Sequence, residues 1–107
     1  MRKTLLTLTM SAMLLGGAHA TEMPDNVLAS VKDAVAKRYP DNYSLQETLI
    51  DAQIESYMFL QSYAPDGVPP DVLAKIKTNV ASRYPDNFSL QQTLVEAQVK
   101  SYRKLNG

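Results

Sequence analysis

The sequence has no cysteine and a single histidine, and these two shortages exclude more chemistry than any other feature of the chain. Without thiols there is no disulfide framework, no cysteine nucleophile, no soft metal ligand and no lipid-modified cysteine. The one histidine, His19, lies in an N-terminal stretch expected to be cleaved, and the usual general base leaves with it. Glycine is equally scarce. Beyond residues 1–20 only Gly67 and Gly107 occur, too few for a phosphate-cradling loop or a G-x-S-x-G elbow. No sign of charge dominates either, with 11 basic and 11 acidic residues, so nothing draws the chain to nucleic acid or an anionic membrane. No enzyme, cofactor, metal site or nucleic-acid partner is expected.

Long hydrophobic runs are also missing. Arg2 and Lys3 precede a mainly apolar stretch over residues 5–15, then Gly16, Gly17 and Ala18-His19-Ala20. A membrane span needs about 20 apolar residues, and this stretch stops well short. The pattern is that of a signal peptide over residues 1–20 with cleavage after Ala20, leaving no membrane insertion afterwards. The protein is thus expected to be exported, to the periplasm or outside the cell. Removing Arg2 and Lys3 leaves a formal charge of −2 on residues 21–107, one domain too small to hold two independent cores.

What the chain does contain is a duplication. Residues 24–62 align with residues 69–107 at an offset of 45, and 22 of the 39 pairs are identical. The longest shared block places Tyr39, Pro40, Asp41, Asn42 and Gln46 opposite Tyr84, Pro85, Asp86, Asn87 and Gln91. Each segment begins with helically spaced apolar residues: Leu28, Val31, Val35 and Tyr39, then Leu73, Ile76, Val80 and Tyr84. Asn26 and Asp71 are the expected N-caps, and the prolines end each first helix at its Arg-Tyr pair. A second helix is expected from Ser44, with Glu47 closing a capping box, and from Ser89 with Gln92. Its core face should carry Leu45, Leu49, Ala52, Ser56 and Leu60, reproduced by Leu90, Leu94, Ala97, Ser101 and Leu105.

Residues 63–70 form a proline-rich linker that no helix can cross. The expected fold is therefore all-α, two tandem helical hairpins packed as a small four-helix arrangement, closed rather than an open solenoid. Gln46, Gln53 and Tyr57, repeated as Gln91, Gln98 and Tyr102, would be a polar recognition strip or internal hydrogen-bonding groups. The second is expected, because buried tyrosines and amides need partners.

The segments differ in instructive ways. Glu47, Asp51 and Glu55 line one strip of the second helix, whereas their counterparts are Gln92, Glu96 and Lys100. Residues 21–66 hold eight carboxylates against three basic residues, net −5, and residues 67–107 hold three against six, net +3. Such halves could attract each other or link molecules head to tail. Met58 and Phe59, followed by Tyr63, make the end of the first segment apolar nearly all round, and in the second segment Arg103 and Lys104 replace the pair. Met58, Phe59, Tyr63 and the acidic strip are the candidate partner contacts. A carboxylate pair for glycoside hydrolysis is not expected, since the strip lies on one helix face rather than across a cleft.

The run Tyr39-Pro40-Asp41-Asn42-Tyr43 followed by Leu45-Gln46, then Gln53 and Tyr57, resembles a short helical segment recurring in small bacterial and phage proteins. There an aromatic-Pro-Asp-Asp/Asn-aromatic turn precedes a Met/Leu-Gln pair. Leu45 and Leu90 stand where methionine is common, and Tyr39 and Tyr84 where tryptophan is common. The resemblance implies the hairpin and no catalytic residue. The function expected is that of an exported, non-catalytic protein-interaction module whose partner could be another copy of itself. The alternative is a small-ligand or metal-ion carrier binding between the hairpins.

Overall fold

The computed structural model describes residues 22–107, so the expected signal peptide lies outside the described residues. Four helices and no strand occur among them: α1 (Asp25–Arg38), α2 (Tyr43–Ser62), α3 (Pro70–Arg83) and α4 (Phe88–Asn106). The first helix of each segment ends at Arg38 and Arg83, as expected, with Tyr39 and Tyr84 as C-caps.

The helix starts differ from expectation. Pro24 and Pro69, not Asn26 and Asp71, stand at the N-caps of α1 and α3, and their carbonyls accept from the Leu28 and Leu73 amides at 2.9 and 3.0 Å. Proline's fixed φ suits this entry, and at Pro70 the missing N–H is one the first turn would leave unpaired anyway. Likewise α2 and α4 start before the serines. Asn42 and Asn87 cap them, each side-chain oxygen accepting from the amide three residues on, Leu45 or Leu90, at 3.2 Å. Asparagine outcompetes the Ser44 and Ser89 capping boxes because the preceding turn already holds it in place. Asp41 and Asp86 adopt left-handed φ values of 63° and 66°, and the Asn42 and Asn87 amides return to the Tyr39 and Tyr84 carbonyls.

The helices pack in the spatial order α1–α2–α4–α3: α1 on α2, α2 on α4, and α4 on α3. Among the described residues the chain is thus all-helical, and its helix contacts are those of a small four-helix bundle, as expected. The main core is shared by α2, the linker, α3 and α4, and contains Leu60, Val68, Leu73, Val80, Val95 and Val99. Val31 and Val35 are buried on α1. Fully burying each such side chain stabilises by about 2 kcal/mol relative to exposure.

On α4 the fully buried stripe is Gln91, Val95 and Val99; of the expected Leu90, Leu94, Ala97, Ser101 and Leu105, Leu94 packs against the core and Leu90 is half-buried. Ala97 and Ser101 are exposed, and Leu105 is 83% exposed although its counterpart Leu60 is 7% exposed. Leu60 has α4 beside it, whereas no described helix lies against Leu105.

The linker is pinned rather than free. Lys77 of α3 donates to the Leu60 and Tyr63 carbonyls at 2.7 and 2.8 Å, satisfying the C-terminal end of α2. From the other side Arg103 donates through Nε to the Asp66 carbonyl at 2.8 Å and also through Nη2. Between them Gly67 turns the chain at φ 82° and Val68 enters the core.

Candidate interaction surface

The turn that opens each second helix is clamped by a glutamine. Gln46 Nε2 donates to the Tyr39 carbonyl at 2.8 Å, and Gln91 Nε2 to the Tyr84 carbonyl at 2.7 Å. These carbonyls follow a helix end and also accept from the Asn42 and Asn87 amides at 3.4 and 3.3 Å, so each glutamine adds a second, shorter bond. Gln46 and Gln91 thus belong to the scaffold.

Gln53 does something else. From the middle of α2 it reaches the start of α4, where Nε2 donates to Asn87 Oδ1 at 3.2 Å and Oε1 accepts from the amides of Phe88 and Ser89. One carboxamide therefore satisfies two amides that a helix start leaves unpaired and steadies the residue that caps a third. Around it Ser56 Oγ donates to Ser89 Oγ at 3.3 Å, and the Tyr57 ring meets Phe88 edge-on with centroids 5.1 Å apart. Farther along, Leu60 lies beside Gln91 and Val95. These contacts progress in the same direction on both helices, so α2 and α4 run parallel. They are offset by roughly ten residues from repeat register, on the order of 15 Å at the helical rise.

The same chemistry stands uncovered elsewhere. Gln98, Ser101 and Tyr102 correspond to Gln53, Ser56 and Tyr57, but Gln98 and Ser101 are exposed and their side chains make no hydrogen bond to another described residue. At the opposite end, Tyr43 is 72% exposed where Phe88 is half-buried, and the Tyr43 and Ser44 amides have no acceptor among the described residues.

Two grooves show the same relationship. One, of about 560 Å³, is lined by Ala34, Val35, Arg38, Tyr39, Leu49 and Gln53 on one wall and by the turn from Arg83 to Ser89 on the other. The second, of about 310 Å³, is lined by Asn79, Val80, Arg83, Tyr84, Leu94 and Gln98, each 45 positions later, together with Ile76. No turn of the described residues lies across it.

The other candidate contacts separate. Glu47, Asp51 and Glu55 are all exposed on α2. Met58 is exposed, whereas Phe59 stacks on Tyr63 with centroids 4.8 Å apart and both pack against the core. Sequence reasoning missed Lys77, whose ammonium is lowered from its usual value by burial, and Arg103. Among the described residues no three His, Cys, Asp or Glu side chains gather as a metal site, and no helix is long and apolar enough to cross a membrane. No family model, curated protein or solved structure is significantly similar to this chain.

Proposed function

We propose that this is an exported, non-catalytic protein-interaction module built from two tandem helical hairpins, and that the exposed half of α4 is its docking surface. The observation that carries this reading is the contrast between Gln53, which holds the start of another helix, and Gln98, which offers the same carboxamide with no described residue on it. A surface bearing an amide, a hydroxyl, a tyrosine and an exposed leucine in that order suits the N-terminal turn of a helix. Export rests on the charged, apolar and A-x-A pattern of residues 1–20.

The test is a photo-crosslinking amino acid at Leu105 in the producing cell. Discrete protein adducts that are lost with Gln98→Ala are expected. A folded, correctly located protein that yields no adduct would end this reading.

A second reading, a carrier of a small ligand or metal ion, draws support from the groove between the segments, where Tyr39, Gln53 and Tyr84 meet. Retention of a small molecule through purification, released by substitutions at Tyr39 or Tyr84, would favour it.

A further inference from the structure

The α2–α4 joint is a heterologous contact, in which one surface of the first segment meets a different surface of the second. Neither surface is used up, because each segment carries both. We infer that the partner of the open α4 surface is a second copy of this chain, docked head to tail. In this contact the turn around Asn42, Tyr43 and Ser44 of one molecule enters the α3–α4 groove of the next. The inference rests on the interaction-module reading and names its partner.

The internal joint supplies the contacts. As Gln53 holds Asn87, Phe88 and Ser89, Gln98 is placed to donate to Asn42 Oδ1 and to accept from the Tyr43 and Ser44 amides of the neighbour. As Ser56 meets Ser89 and Tyr57 meets Phe88, Ser101 meets Ser44 and Tyr102 meets Tyr43. Leu105 is thereby covered as Leu60 is. Every residue that this contact needs is present on the two open surfaces, and it would bury the two exposed residues whose equivalents Phe88 and Leu60 are covered inside the chain: Tyr43 at 72% and Leu105 at 83%.

Groove geometry and charge agree. The wall that faces the second turn inside the chain recurs, six positions out of six, in the groove beside Gln98. Where the ends would meet, the α4 side carries Lys100 and Lys104, and the helix opening at Tyr43 carries Glu47 and Asp51. The second segment thus replaces acidic and apolar residues by basic ones at the end that would receive an acidic helix. Repeating one parallel, offset step does not close on itself after two copies, so the product is an open polar row of molecules.

The absence of cysteine makes the test clean. Purified Ser44→Cys and Ser101→Cys proteins are oxidised alone and as a mixture. The mixed disulfide is expected in excess of random pairing, and each protein alone should give little. Light scattering should show the unmodified protein growing beyond a dimer with concentration and shrinking with salt. Tyr43→Glu and the double variant Gln98→Ala/Leu105→Gln should each be monomeric, yet form a one-to-one pair on mixing, since each keeps one intact end. Circular dichroism reports whether each variant folds, and Tyr43→Ala replaces Tyr43→Glu if it does not.

A wild-type monomer at all concentrations, random disulfide pairing, or a dimer untouched by both end variants would each overturn the inference. If adducts at Leu105 in the cell contain a different protein, the module reading stands and self-docking falls. If no adduct forms, both fall.

Discussion

Gln53 and Asn87 lie 34 positions apart in sequence, and their side chains meet at 3.2 Å, so that the middle of α2 holds the cap of α4. Gln98 has the same identity and helical position as Gln53, and its side chain holds no other described residue. The difference between the two glutamines is one of neighbours, not of residue type.

Their substitutions should separate accordingly. Gln53→Ala strips the Phe88 and Ser89 amides of their acceptor in a half-buried setting, a loss of about 1–3 kcal/mol. Gln98→Ala should change the stability of the monomer by no more than about 0.5 kcal/mol, as for an ordinary surface site. Urea unfolding at low protein concentration checks both.

The turn aspartates have a narrow tolerance. Asp41 sits at φ 63°, where a β-branched residue is strained and glycine is not. Asp41→Gly should lie within about 0.5 kcal/mol of wild type, because eased strain offsets added unfolded-state freedom, and Asp41→Val should lose about 1–2 kcal/mol. Thermal melts of the pair decide it, and an equally stable valine variant would contradict the left-handed turn.

Met58 and Phe59 are neighbours in sequence with different surroundings. Met58→Arg should leave stability within about 0.5 kcal/mol of wild type, since the side chain is already exposed. Phe59→Lys removes the stack on Tyr63 and packing against the core, for a loss of about 2–4 kcal/mol. Chemical denaturation of each single variant distinguishes a contact surface at Met58 from core at Phe59.

Lys77 gives a pH signature of known sign. Burial lowers its ammonium below the usual 10.5, so the folded chain releases this proton before the unfolded chain does. Between the lowered value and 10.5 the unfolded state binds more protons, and this group's contribution to stability therefore rises with pH. Below that window both states are protonated and the contribution is flat. Lys77→Met should cost about 1–2 kcal/mol at neutral pH through its two lost carbonyl contacts. The gap between wild type and variant should widen as pH climbs through the window, as denaturation midpoints at several pH values would show.

Helix number, helix type and the tyrosine C-caps were legible because periodicity and the Tyr-Pro-Asp-Asn turns are local. Helix starts were less so, since Asn42 and Ser44 are both good caps and only the left-handed Asp41 decides between them. The exposed face of α4 was not legible at all. Leu60 and Leu105 are equivalent in sequence, and only the packing of α4 on α2 buries one while no described helix covers the other. Lys77 and Arg103 were invisible for a related reason, because their acceptors are main-chain carbonyls, which carry no residue identity.

The order α1–α2–α4–α3 also sets how the molecule opens. Helix α1 leans on α2, whereas α4 is held between two helices and buries Gln91, Val95 and Val99. Amide hydrogens of α1 should therefore exchange with solvent soonest and those of α4 last, with α2 between them, through partial openings that leave α3 and α4 paired. An edge helix that lifts away on its own would uncover the α2 face beneath it while the rest of the chain stays folded.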